Sequence, residues 1–112
     1  MSAPPRFEYG GDPALAPGLT RALKSVIDPE MALDVVELGL VYALVVGKDH
    51  ARATITMTSA ACPVTEYIID EVGHALREEL GPGVMVHVAL TWDPPWTPER
   101  MSDRARAAMG WE

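Results

Sequence analysis

The chain contains one cysteine, Cys62, in the run Met57-Thr-Ser-Ala-Ala-Cys-Pro63. The residues before it alternate like a strand and those after it recur like a helix. This places Cys62 at the helix N-cap and Pro63 at the first helical position, where proline's missing N–H is not needed. Unpaired backbone N–H groups and the positive end of the helix dipole favour an anion there, and thiols so placed fall below the free value of about 8.5. A thiolate is the form that binds metal or attacks an electrophile. Many free cysteines are inert small core residues, but this one stands in a polar loop at a helix start, which favours chemistry.

A second constellation is acidic. Asp28, Glu30 and Asp34 fall within seven residues and can present hard oxygen ligands or a proton acceptor. Turns use the same residue types, Asp before Pro above all. His50, His74 and His87 fall in a turn, on a polar helix face and on a strand face opposite Val86 and Val88, so their spacing makes no metal site. No glycine-rich phosphate loop, G-x-S-x-G elbow, H-E-x-x-H or C-x-x-C occurs, and no bound nucleotide is expected. The run Trp92-Asp-Pro-Pro-Trp96-Thr-Pro98 spends two tryptophans and three prolines on a connection. Trp92 and Trp96 either cap the core, the commoner use of such aromatics, or form a rigid ledge for a partner.

The elements that position these residues follow from periodicity. Leu19, Leu23, Val26 and Ile27 predict a helix over 17–27 that stops before Asp28-Pro29. Residues 40–46 and 51–58 read as strands of a hairpin joined by Gly47-Lys-Asp-His50. Arg52, Thr54, Thr56 and Thr58 share one face of the second strand, and the threonine row leads toward Ser59 and Cys62. An apolar stripe from Ile68 to Leu80 predicts a helix over 63–80, ended by Gly81-Pro82-Gly83. Residues 84–92 alternate as a third strand, and 102–109 form a short last helix closed by Gly110. The expected fold is therefore α+β, a two-layer α-β-β-α-β domain with a three-stranded sheet and helices on one face. The strand order stays open. Residues 1–16, with Pro4, Pro5, Gly10, Gly11 and Pro13, read as a flexible lead-in, leaving one domain over 17–112.

Composition excludes several classes. The 112 residues carry a net charge of -7, which opposes binding to nucleic acid or anionic membrane. Apolar residues make up 48% of the chain, enough for a core that folds without metal or disulfide. No apolar run approaches the ~18 residues of a membrane span and no leader pattern opens the chain, so a cytoplasmic location is expected. One cysteine permits no internal disulfide.

Taken together, Asp28-Pro-Glu30, Leu38-Gly-Leu-Val-Tyr42, Met57-Thr-Ser-Ala-Ala-Cys-Pro63 and Trp92-Asp-Pro-Pro-Trp-Thr-Pro-Glu-Arg-Met101 closely resemble the SufT/PaaD-like family of metal-sulfur cluster biosynthesis proteins. The resemblance runs from about Leu19 to Trp111. It implies the same fold and a role in iron-sulfur cluster assembly, carriage or insertion, with a reactive or metal-binding cysteine at Cys62. It also places Glu30, Asp34, Thr56 and Thr58 around that cysteine. The phenylacetate-pathway branch carries a cysteine-rich C-terminal segment and other relatives precede a P-loop ATPase domain. Neither occurs in this chain, which favours the stand-alone, SufT-like form.

A cluster takes four ligands, usually thiolates, so one cysteine per chain implies transient ligation of iron or a cluster. Carboxylates, a second subunit in a homodimer, or a client would complete the site. The expected partners are iron-sulfur assembly proteins and client apoproteins. An adaptor that joins assembly machinery to clients without touching metal is the alternative. A thiol enzyme is disfavoured, since no histidine has an evident place beside Cys62 to act as base.

Overall fold

The computed structural model describes residues 7–58 and 64–110. Six strands and three α-helices follow one another: β1 (Glu8–Gly10), α1 (Ala16–Lys24), β2 (Ile27–Asp28), β3 (Leu33–Asp34), β4 (Val41–Val46), β5 (His50–Ile55), α2 (Thr65–Leu80), β6 (Met85–Leu90) and α3 (Asp103–Met109), with single 3-10 turns at Pro13–Leu15 and Pro98–Arg100. Among these residues no helix is long and apolar enough to cross a membrane.

The β4–β5 hairpin forms where β-branched residues flank the Gly47 turn, which closes with Gly47 N–H donating to the His50 carbonyl at 2.7 Å. β6 lies beside β5 and parallel to it, Ile55 opposite Leu90. This settles the order that periodicity leaves open: the third strand of the sequence reading neighbours the second.

The sheet has four strands, ordered β1-β4-β5-β6, and the three-stranded expectation is corrected on that point. The extra strand is Glu8–Gly10, within the stretch read as a flexible lead-in, and it pairs parallel to β4 with Tyr9 opposite Leu44. Its anchor is Phe7, only 8% exposed. Three residues show no readable alternation, and the parallel partner is more than thirty positions away, so no local pattern could announce it.

Leu44, Ala51, Ala53 and Ile55 are buried on one side of the sheet, together with Leu19 and Leu23 of α1 and Ile68, Val72 and Leu76 of α2. The two helices pack against each other, and α2 runs along β6. On the other side Val45 and Met85 face outward, 52% and 79% exposed. α1 ends at Lys24, three residues short of the expected Ile27, because Ile27–Asp28 pairs antiparallel with Leu33–Asp34 in a separate ribbon. Extended backbone before Pro29 is the conformation that proline imposes on its predecessor.

The C-terminal segment clamps the turn that leads into β4. Trp96 donates its indole N–H to the Leu38 carbonyl at 2.7 Å, Ser102 N–H donates to the Glu37 carbonyl at 2.9 Å, and Met101 and Ala105 enter the core. Gly39, at φ +76, lies so close to the Arg100 carbonyl that a Cβ would collide with it. Glycine meets both demands at that position.

Candidate functional site

β5 ends at Ile55 and hands the chain to Thr56, Met57 and Thr58, while α2 begins at Thr65 with Val64 in the cap position. Ser59, Cys62 and Pro63 lie outside the described residues. The sequence between Thr58 and Val64 thus links the C-terminal end of the central strand to the positive end of a sixteen-residue helix. Val64 offers no side-chain acceptor to the first turn. The cap falls on Val64, two residues beyond the Cys62 position that the sequence reading assigns to it.

Thr56 is the most telling described residue at this end. It is fully buried, its N–H donates to the Leu40 carbonyl at 2.8 Å, and its Oγ1 has no hydrogen-bond partner among the described residues. A hydroxyl removed from water without a partner costs roughly 1–3 kcal/mol. Thr58 is half-buried. The expected threonine row splits because β5 stops at Ile55: Arg52 and Thr54 remain on the outward face of the sheet, and Thr56 turns inward.

The acidic residues form local turns. Asp28 is 1% exposed and accepts hydrogen bonds at Oδ1 from Glu30 N–H at 2.8 Å and Met31 N–H at 3.3 Å. Asp34 does the same for Val36 N–H at 3.0 Å and Glu37 N–H at 2.9 Å. In the β2–β3 ribbon Asp28 stands opposite Leu33 and Ile27 opposite Asp34, so the two carboxylates project from opposite faces. Glu30 is exposed. The structure therefore does not gather the three acids on one face, and among the described residues no three His, Cys, Asp or Glu side chains converge on a point where they could hold a metal ion. Burial pushes the Asp34 carboxyl above its ordinary range, partly opposed by the hydrogen bonds from Glu37 and Val36 and by the charge of Lys24.

The two tryptophans part company. Trp96 packs against the core with its indole N–H satisfied, whereas Trp92 is 44% exposed. Glu37 is a residue that no sequence pattern announces. Its carboxylate lies 3.3 Å from Lys24 Nζ and accepts a hydrogen bond from Ser102 Oγ, joining α1 to the start of α3. Its partners are far apart in sequence, so no local signal marked it. An open pocket of about 530 Å³ between β1, β4 and the C-terminal segment is lined by Phe7, Val41, Tyr42 and Arg100 among others, and none of the sequence-predicted site residues that are described lines it. There the Arg100 guanidinium sits 4.4 Å from the centre of the Tyr42 ring, a cation–π contact.

Comparison with known proteins gives this geometry a context. Residues 19–90 match the family model described as iron-sulfur cluster assembly protein. The chain is 41% identical over 98 residues to the Fe-S protein maturation auxiliary factor YitW of Bacillus subtilis (strain 168), covering 87% of this chain and 95% of that one. It is 43% identical over 88 residues to the Fe-S protein maturation auxiliary factor SufT of Staphylococcus aureus (strain USA300), covering 76% and 97%. The crystal structure of a domain of unknown function, DUF59, from Bacillus anthracis superimposes with a TM-score of 0.79 at 40% identity, covering 88% of this chain and 94% of that one.

Proposed function

The chain belongs to the iron-sulfur cluster assembly protein family as a SufT-like member, and from that premise we propose that it serves the maturation of iron-sulfur proteins, with iron or a cluster as its cargo. The Cys62 thiolate holds the cargo transiently. With one cysteine in the chain, the remaining ligands come from elsewhere: from Glu30 or Asp34, from an assembly protein, or from the client apoprotein that receives the cluster. The action is carriage and insertion in the cytoplasm, with no substrate bond turned over by the chain itself.

The observation that best supports this reading is the buried Thr56 hydroxyl. A core built only for stability pairs its polar groups or omits them. This one stands unpaired among the described residues, three positions before Ser59, where the chain leaves the sheet for the segment that carries Cys62. The positive end of α2 favours a thiolate in that segment.

The test is anaerobic reconstitution with iron and sulfide, followed by transfer to an apoprotein acceptor. Wild type is expected to take up iron and sulfide and speed transfer, and Cys62→Ala to do neither. Equal performance by Cys62→Ala would sink the thiolate mechanism. One observation keeps the adaptor as a second reading: Trp92 presents an indole 44% exposed, the kind of side chain that anchors protein interfaces. Partner capture that survives Cys62→Ala and is lost with Trp92→Ala would favour it.

A further inference from the structure

The two edges of the main sheet are unlike. β1 is three residues long and carries the exposed Glu8, whereas β6, Met85-Val-His-Val-Ala-Leu90, has six residues with no Asp, Glu, Lys, Arg or Pro. Natural sheets guard their free edges with such residues, and β6 has none of them. Met85 N–H donates to the Asp49 carbonyl and Thr91 N–H to the Ile55 carbonyl. Odd-numbered residues therefore bond to β5, and the N–H and C=O groups of Val86, Val88 and Leu90 point outward. We propose that this edge pairs antiparallel with β6 of a second copy of the chain, about a two-fold axis at Val88.

The register is self-complementary. Val86 meets Leu90 of the other copy, Val88 meets its equivalent, and the three outward N–H and three outward C=O groups of each copy find partners. No charges are brought face to face on a chain of net charge -7.

The α2 helix adds an independent match. Glu71, Ala75 and Glu78 line a cleft with Ala22 and Val26, which fixes the flank of α2 that faces α1. Glu66, Asp70, Gly73 and Arg77 form one line on the opposite flank. Because α2 runs along the edge strand, that flank looks out over the free edge. Val88 is three residues into β6, about 10 Å at ~3.3 Å per residue. The same rise at 1.5 Å per residue is about seven residues of helix and leads from Leu80 back to Gly73. The two-fold axis thus passes near Gly73, which is buried with the Arg77 guanidinium lying against it. Arg77 of each copy then faces Asp70 of the other, with Glu66 one turn beyond. None of the three has an ion-pair partner among the described residues.

For function, a consequence follows that rests on the cluster-carrying reading above. The C-terminal end of β6 is the end where Thr58 leaves β5 toward Cys62. Antiparallel pairing puts the two copies' Thr58 residues, where each chain leaves β5, at opposite strand ends of a joined eight-stranded sheet. On that reading the second copy is not the source of the missing ligands, which leaves the chain's own carboxylates, an assembly protein or the client.

A six-residue edge is small beside the ~1,200–2,000 Å² of stable interfaces, so the dimer is concentration-dependent. Sedimentation velocity on the full chain is expected to show a mass rising from one chain toward two as concentration approaches millimolar, with amide exchange at Val86, Val88 and Leu90 slowing in step. Arg77→Glu and Asp70→Arg should each weaken association about tenfold or more, and the double swap Asp70→Arg with Arg77→Glu should restore it. One-chain mass at millimolar concentration, or a dimer indifferent to all three variants, overturns the proposal. These measurements contain no iron, so their failure leaves the cluster reading standing, and loss of the cluster reading leaves them untouched.

Discussion

Thr56 is where stability and use part at the level of a single residue. Its hydroxyl is buried and unpaired among the described residues, so Thr56→Val, which replaces the hydroxyl by a methyl of similar size, is expected to raise stability by about 1 kcal/mol in urea unfolding. If the hydroxyl serves the Cys62 segment, the same variant transfers clusters more slowly; unchanged transfer would assign it no part. Asp28 and Asp34 teach the opposite lesson. The sequence shows carboxylates close together, and the Asp-Pro pair marks a turn. Both are engaged by the backbone N–H groups two and three residues on. Their separation onto opposite faces of the ribbon depends on the pairing of Asp28 with Leu33, which the acidic spacing does not encode.

Among the elements, α3 shows how a short helix is held. Seven residues are too few to persist alone, and the sequence offers Ser102 and Gly110 as caps. Both act so: Ser102 Oγ accepts from Ala105 N–H at 3.0 Å, and Gly110 takes the left-handed conformation at φ +76. What the caps do not reveal is the bond from Ser102 Oγ to the Glu37 carboxylate, which ties α3 to the turn before β4. Ser102→Ala is therefore expected to cost about 2 kcal/mol, the sum of a lost cap and a lost hydrogen bond to a charged group. The paired control is Lys24→Ala. That ion pair has its ammonium side 43% exposed and should contribute under about 1 kcal/mol. Chemical denaturation that ranks the two variants in the reverse order would refute the clamp.

For the whole molecule, the decisive feature is the fourth strand. β1 covers the β4 edge, and Phe7 enters the core beside it. Phe7→Ala is expected to lose about 3 kcal/mol on urea unfolding, whereas a flexible lead-in would lose nothing measurable. The sequence by itself determined the helix, hairpin, helix and strand that make the α+β frame, because hydrophobic alternation and helical recurrence are local signals written within ten or so residues. It also determined that cluster ligation, if it occurs, is shared, since one cysteine cannot fill four positions. Only the tertiary structure decided that the sheet has four strands, that β6 lies beside β5 with no further strand at its outer edge among the described residues, that Trp96 is packed while Trp92 is exposed, and that Asp28 and Asp34 face apart. Each of these depends on pairing between residues distant in the chain or on the face a side chain takes once its neighbours have packed, and neither is carried by periodicity.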